Sequence, residues 1–299
     1  MCGIVGLFLK NRDLEPELGA LIAPMLSVMS DRGPDSAGFA VYGAGRPGRT
    51  KLTLRLPEGM LSVSEMIAGL ESVMAVPVDI DLRESHAVLS IPNAAEADVR
   101  TWLAQAHPGV RIVGSGQRME LYKEVGRPEF VAKAFGLSQM SGTHAIGHTR
   151  MATESSVTTD GAHPFSTGPD QCLVHNGSLS NHNAVRRVLR REGLTFDTEN
   201  DSEVAAGYLT WLMREGFNLR QALEASLNDL DGFYTFVVGT ESGFAVLRDA
   251  IGCKPAVMAE TRNYVAFGSE YRALAMLPDI ETARVFEPQP ATVYAWEHG

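Results

Sequence analysis

The residue with the most chemical potential in this chain is Cys2. It follows the initiator methionine, and aminopeptidases remove methionine before small side chains, so Cys2 can become the first residue of the mature chain. A terminal cysteine carries its own base. Its free α-amine has a reference pKa of about 7.7–8.0, close enough to neutrality to take the thiol proton and later return it to a leaving amine. The residue type alone leaves a second reading open, a small apolar side chain opening a buried strand. The other cysteines, Cys172 and Cys253, make an odd total with no CxxC pair. That argues against a disulfide framework or zinc knuckle and fits a reducing cytoplasm.

Two other patterns fail on spacing. His144 and His148 are four apart, which suits zinc on a helix, but their segment reads as a strand, where they would stand about 13 Å apart. No metal site is expected. Gly43-Ala-Gly-Arg-Pro-Gly48 matches G-x-G-x-x-G, but an alternating KLTLRL stretch follows it rather than a helix able to meet a pyrophosphate.

The elements that position Cys2 follow from periodicity. GIVGLFL (3–9) reads as a buried strand. Leu18, Leu21, Ile22, Met25, Leu26 and Met29 mark a helix, and residues 37–43 a second strand. Residues from about 50 to 133 differ in texture, with strands at KLTLRLP, RIVGSG and ELYKEVG and a helix at AAEADVRTWLAQ, and read as a small α/β insertion. HAIGHTR and QCLVHNG are strands, followed by helices near 180–192, 202–215 and 218–229. The remainder is strand-rich, in hairpins that favour antiparallel sheet. Cys172 falls in a strand and reads as core.

Composition bounds the partners. With 44% hydrophobic and 21% charged residues the chain is an ordinary globular protein, and a net charge of -10 argues against nucleic acid or an anionic membrane as partner. The N-terminal apolar run is too short for a membrane span and lacks a signal-peptide layout.

A series of motifs then gives Cys2 a context. In order they are Cys2-Gly3-Ile4-Val5-Gly6; Arg32-Gly33-Pro34-Asp35-Ser36-Ala37-Gly38; Gly147-His148-Thr149-Arg150-Met151-Ala152-Thr153; Ala162-His163-Pro164-Phe165; His175-Asn176-Gly177; Asn200-Asp201-Ser202-Glu203; Asp231-Gly232; and Arg248-Asp249 with Gly252, Lys254 and Pro255. Their identity and order resemble the class II glutamine amidotransferases, which are N-terminal-nucleophile hydrolases. The resemblance spans both ends of the chain.

It implies an α+β fold, a four-layer αββα sandwich, formed here by residues 1–299 and interrupted by the α/β insertion at about 50–133. It implies that Cys2 is the nucleophile, with the Asn176 amide and Gly177 N–H as oxyanion hole. Arg150 corresponds to the clamp on the glutamine α-carboxylate, a bidentate task suited to guanidinium. Asp201 corresponds to the residue that binds the α-ammonium, although Asn200 and Glu203 around it also spell a helix N-terminus. Asn176-Gly177 is likewise a common hairpin dipeptide. Thr153 and His163 are placed at the substrate, and Thr149 and Met151 at the pocket wall. Met151 stands where the family often has an aromatic residue. His148, His163 and His175 are expected to fix loops rather than act as bases, and Lys254 to support the fold.

The implied substrate is L-glutamine, hydrolysed with no metal or organic cofactor in this chain. The long segment before the HTR motif, and the lack of room for a synthase domain, resemble the amidotransferase subunit of N-methylglutamate synthase and other split glutamate-synthase-like systems. Glutamate-synthase-like partner subunits, with FMN and iron–sulfur centres in them, are then expected. Two rivals stand beside this reading: another N-terminal-cysteine amidohydrolase acting on a small amide, and a regulatory homologue without catalysis. The pairing of Arg150 with Asp201 matches the two charges of a free amino acid and disfavours the first; the intact motifs disfavour the second. The intact mass of the active protein is expected to correspond to a chain starting at Cys2, and Met1 retained in fully active protein would overturn the nucleophile assignment.

Overall fold

The computed structural model describes residues 2–57, 59, 63–74, 78–152 and 156–298. The strand Gly3–Leu9 is buried at every position because it lies inside a sheet covered on both faces. It pairs antiparallel with Tyr264–Gly268 on one side and His144–Arg150 on the other. The full seven-stranded sheet runs Arg284–Phe286, Val257–Glu260, Tyr264–Gly268, Gly3–Leu9, His144–Arg150, Ser36–Tyr42 and Met119–Val125. A second sheet of five strands runs Tyr294–Glu297, Gly243–Arg248, Gly232–Gly239, Gln171–Leu179 and Phe165–Gly168.

Alternation along these strands divides the apolar residues between three layers of core. Ile4, Phe8, Ile146, Val174, Val237 and Phe267 fill the space between the two sheets. Val5, Leu7, Phe39 and Ala145 face the helix Leu18–Ser27, through its Leu18, Ile22, Met25 and Leu26. Leu173, Phe236, Val238 and Leu247 on the second sheet face the helices Asp201–Arg214 and Leu219–Asp229. The result is the four-layer αββα sandwich of N-terminal-nucleophile hydrolases, an α+β fold. Among the described residues no helix is long and apolar enough to cross a membrane.

Four strands between residues 49 and 116 form a separate antiparallel sheet, ordered Asp79–Arg83, His86–Pro92, Arg49–Arg55 and Arg111–Gly116. The helices Val63–Met74 and Glu96–Ala106 alternate with its strands in the βαββαβ order of a ferredoxin-like unit. Its core of Leu52, Leu54, Leu70, Leu89, Ile91, Val99 and Leu103 is its own. The expected range of 50–133 runs past this sheet. ELYKEVG belongs to the seven-stranded sheet, where Met119–Val125 pairs with Ser36–Tyr42, and the helix Pro128–Ala134 packs on the outer face of that sheet. Alternation cannot tell which of two sheets a strand joins. The G-x-G-x-x-G stretch opens no helix; the strand Arg49–Arg55 follows it directly.

One carboxylate ties the two units together. Buried Asp170 accepts the backbone N–H groups of Gln117 (2.6 Å), Arg118 (2.9 Å) and Met119 (2.8 Å), and its own N–H reaches Ser115 O at 2.7 Å. Gly116, at φ +153, lets this contact form, since a Cβ there would lie 2.3 Å from Asp170 Cγ. Asp170→Ala would leave three amides without their acceptor, so urea denaturation is expected to show a loss of about 3 kcal/mol, with faster amide exchange at residues 117–119.

Candidate active site

The strand register sets the site. Gly3 lies opposite Thr149 and Ser36 opposite Arg150, so Cys2 and Arg150 sit at the same end of neighbouring strands. Cys2 is partly exposed. Its carbonyl oxygen accepts two side-chain donors, Arg32 Nε at 3.0 Å and Asn176 Nδ2 at 3.3 Å. The Arg32 guanidinium is braced in turn by Glu270 at 2.6 Å, and Arg272 holds the same carboxylate at 2.6 Å. The hydrogen bond from Arg32 keeps the Glu270 carboxyl below the ordinary glutamate range. Two residues on from Cys2, Ile4 N–H donates to Ser269 Oγ and its carbonyl accepts from Ser269 N–H, both at 2.9 Å. Residues 269–270, just past the strand Tyr264–Gly268, thus hold Ile4 directly and Cys2 through Arg32. Nothing in their types signalled this, because the link is made only by the pairing of strands 3–9 and 264–268.

Asn176-Gly177 is not a hairpin turn. Both residues lie inside the strand Gln171–Leu179, opposite Thr235 and Tyr234. Gly177 has φ +154, and a Cβ would fall 2.0 Å from Phe233 O and 2.8 Å from His175 Nε2, so no other residue fits without displacing the neighbouring strand. The extended path continues to Leu179, whose N–H donates to Asp201 Oδ2 at 2.9 Å. Asp201 therefore stands just beyond the Asn176-Gly177 pair.

Asp201 opens the helix Asp201–Arg214, and Asn200 is its N-cap, accepting Ser202 N–H at 2.9 Å. Glu203, in the first turn of the helix, turns to the loop before it. Glu203 accepts the N–H groups of Asp197 and Thr198, both at 2.8 Å, and the Thr198 hydroxyl at 2.7 Å. Arg150 is buried rather than a surface arginine, and its Nη1 lies 3.4 Å from Ser156 O. Its backbone is fastened by the RGPDS motif, through Asp35 N–H to Arg150 O at 3.1 Å and Ala152 N–H to Asp35 Oδ2 at 2.8 Å. Met151 is exposed. Thr153 lies outside the described residues.

His163 belongs to a buried cluster behind the site. Its Nε2 is 2.7 Å from Ser202 Oγ, and His175 Nδ1 is 2.8 Å from the same oxygen. His148 stacks on His163 with centroids 4.0 Å apart and donates from Nε2 to His175 O at 3.0 Å. Burial lowers the pKa of all three, to about 3 for His148. His163 and His175 both reach Ser202, and the Ser202–Asp201 hydrogen bond makes both rings donors there. The serine's one hydroxyl proton goes to Asp201 Oδ1, 3.3 Å away, while its two lone pairs accept N–H from His163 and His175. Ser202, which the sequence did not single out, thereby links the loop at His163 and the strand at His175 to Asp201. His144 is apart from this cluster, stacked on Tyr42 at 4.1 Å. No set of three His, Cys, Asp or Glu among the described residues could hold a metal. Cys172 is buried with its Sγ 3.3 Å from the Tyr42 hydroxyl, and burial pushes its thiol up to about 12.

The segment that carries His163 is held by a second buried group absent from the sequence reading. Lys123 Nζ donates to Asp160 O at 3.1 Å and Ala162 O at 2.9 Å, and lies 4.5 Å over the Phe165 ring.

The fold is thus that of the N-terminal-nucleophile amidotransferases, with a cysteine, a strand-borne Asn-Gly pair, an arginine and an aspartate gathered at one end of the sandwich. Comparison with known proteins agrees. The glutamine amidotransferase domain family matches residues 148–276. The glutamine amidotransferase-like protein GlxB of Rhizobium meliloti (strain 1021) is 60% identical over 298 residues, covering 100% of this chain and 99% of that one. The structure of the allosteric regulatory enzyme of purine biosynthesis has a TM-score of 0.64 at 20% identity, over 99% of this chain and 47% of its own. Glutamine phosphoribosylpyrophosphate amidotransferase from B. subtilis gives 0.59 at 19%, over 99% and 49%. The chain spans about half the length of these two structures, and the likeness is one of fold. The chain belongs to the glutamine amidotransferase family.

Burial pulls the Lys123 ammonium from the ordinary 10.5 down to about 8. Between those values the unfolded chain binds more protons than the folded one, so this group makes stability rise as pH increases through the window. Denaturation midpoints of the native chain, compared with those of Lys123→Met, are expected to improve from about pH 8 to about pH 10. An unchanged difference would place the Lys123 pKa outside that window.

Proposed function

We propose that this chain hydrolyses L-glutamine to glutamate through a γ-glutamyl thioester on Cys2. The observation that carries this reading is the convergence on Cys2 of the Asn176 amide, from the opposite sheet, with Arg150 at the same strand end. In this reading the α-amine of Cys2 takes the thiol proton, directly or through a water, and the thiolate attacks the δ-carboxamide carbon. Charge developing on the carbonyl oxygen is met by Asn176 Nδ2 and Gly177 N–H, and the strand conformation of Gly177 lets the substrate come close to the backbone. The protonated amine returns its proton to nitrogen, ammonia leaves, and water attacks the thioester to release glutamate. Arg150 takes the substrate α-carboxylate and Asp201 the α-ammonium. Thr153 adds a substrate contact. His163 serves by holding Ser202, and through it Asp201, rather than by touching glutamine.

No metal or organic cofactor is needed for this half-reaction. The ammonia passes to a synthase partner of glutamate-synthase or N-methylglutamate-synthase type in the cytoplasm, with FMN and iron–sulfur centres in the partner subunits. Support for that finer step is the layout of the motifs and the long segment that precedes the HTR motif.

Cys2→Ala is expected to abolish glutamine hydrolysis with the melting temperature unchanged, and acid-quenched native enzyme to show a glutamyl adduct on the N-terminal peptide by mass. Full activity in Cys2→Ala, or an adduct on another residue, would refute the mechanism. Arg150→Lys is expected to lower kcat/KM for glutamine roughly a hundredfold, mostly through KM, because an ammonium cannot reproduce a two-pronged carboxylate contact. A panel of small amides scored beside glutamine checks the substrate class.

A further inference from the structure

The segment 156–163 ends at His163, and its own turns bring it against the Arg150 guanidinium. Ser156 O lies 3.4 Å from Arg150 Nη1, and a Cβ on Gly161 would stand 3.6 Å from the same nitrogen. Gly161 N–H donates to Thr158 Oγ1 at 3.2 Å, and Ala162 N–H to Thr159 O at 3.1 Å. Residues 156–158 are exposed, whereas Thr159 is buried. The segment is therefore fastened from residue 159 onward, and the exposed part takes its position from there.

The fastenings lie outside the catalytic residues. Lys123 and Glu124 are consecutive on the edge strand Met119–Val125, so their side chains leave opposite faces of the sheet. Lys123 donates to the Asp160 and Ala162 carbonyls, and Glu124 Oε1 accepts the Thr159 hydroxyl. The segment thus crosses the edge of the seven-stranded sheet and is gripped from both faces. The ferredoxin-like unit adds its own hold. Arg55, at the end of the strand Arg49–Arg55, donates from Nη1 to Asp160 Oδ1 at 3.1 Å. Ser85, in the turn between the strands Asp79–Arg83 and His86–Pro92, donates to Glu124 Oε2 at 2.7 Å. It thereby steadies the carboxylate that holds Thr159. Burial alone would raise the Glu124 carboxyl, but the Thr159 and Ser85 hydroxyls and Val125 N–H hold it below the ordinary glutamate range.

From these contacts we propose that the insertion is a working part of the glutamine site, with Arg55 a positioning residue for the Arg150 clamp. Arg55 does not touch glutamine. It holds Asp160, and so keeps Ser156 and Gly161 against the guanidinium that takes the substrate carboxylate. This role rests on the glutaminase reading above. Cys2 and Asn176 are held elsewhere, by Arg32 with Glu270 and by the ladder to Thr235. Loosening the segment therefore weakens glutamine binding and spares bond breaking at saturation. The Arg55–Asp160 pair is partly exposed, at 26% and 44%, which limits its effect to a severalfold change.

The test compares the full-length native chain with Arg55→Asp, Asp160→Arg and the charge-swapped double variant. Steady-state kinetics are measured on each, and glutamine is titrated onto the same substitutions made in Cys2→Ala protein. Arg55→Asp is expected to raise KM and Kd about fivefold with kcat and melting temperature held, and the swap to restore both. Amide exchange at residues 159–163 is followed in parallel; it should quicken in Arg55→Asp and recover in the swap. Native KM and Kd in Arg55→Asp, a swap no better than the single variants, or a loss confined to kcat overturns the proposal. A native chain that neither binds nor hydrolyses glutamine refutes the glutaminase reading instead. Exchange then decides alone: quickening that the swap reverses upholds the grip of the insertion on the segment, and unchanged exchange overturns it.

Discussion

A single carbonyl oxygen, that of Cys2, receives side-chain donors from two different layers of the molecule. Arg32 reaches it from the turn after the first helix, and Asn176 from the facing sheet. Each donor is itself fixed from elsewhere, Arg32 by Glu270 near the end of the chain and Asn176 by the ladder to Thr235. The position of the second residue therefore depends on strands drawn from the whole length of the sequence. A chain terminus is ordinarily the least ordered part of a domain. Here the Gly3–Leu9 strand has neighbours on both sides, and the residue that precedes it is gripped at its backbone while its side chain remains accessible.

Behind this grip lies a buried polar region built on neutral imidazoles and one carboxylate. Two imidazoles, those of His163 and His175, and the Asp201 carboxylate meet at the Ser202 hydroxyl, with His148 stacked behind His163, and burial lowers the pKa of all three rings. Such a network is stable only if its donors and acceptors match, because an unpaired polar group is costly in a low-dielectric interior. The serine's own count closes with one proton and two lone pairs, while the other nitrogen of each ring has no hydrogen-bond partner among the described residues. The arrangement carries order between three segments, the strand at His148, the loop at His163 and the strand at His175, and delivers it to the first turn of the helix that begins with Asp201. Lys123 sets the same loop from the other side through the carbonyls of Asp160 and Ala162.

Much of this was legible in the residues themselves. Periodicity located the strands 3–9, 144–150 and 232–239 and the helices near 182, 201 and 219 to within a few residues, because each buries one face or both in a predictable rhythm. What periodicity could not convey was partnership. The helix Val63–Met74 and the strands Asp79–Arg83 and His86–Pro92 escaped it: strand 79–83 is largely exposed at a sheet edge, and strand 86–92 is interior and buried almost throughout, so neither shows a clear alternation. Asn176-Gly177 has the spelling of a turn but the conformation of a strand, because the neighbouring strand leaves room there only for glycine. Ser202, Glu270 and Lys123 have ordinary types at unremarkable positions, and their importance comes from neighbours remote in sequence. The motif residues Cys2, Arg150, Asn176, Gly177 and Asp201 were recognisable from the order in which they occur, and the fold places them at one end of the sandwich.

The insertion enters and leaves the seven-stranded sheet at the facing pair Tyr42 and Met119. To the sandwich it is therefore only a very long hairpin connection, and a floppy connection of that length would slow the pairing of its two stems through the entropy of closing the loop. The ferredoxin-like unit removes that obstacle by folding on its own core, and its edge strand delivers residue 116 already beside the start of the second stem. On a ribosome, this unit is complete before His144 has been made. The pairing of residues 36–42 with 119–125 thus closes over a unit with its own core rather than over an open loop, before the strands 144–150 and 264–268 have been made.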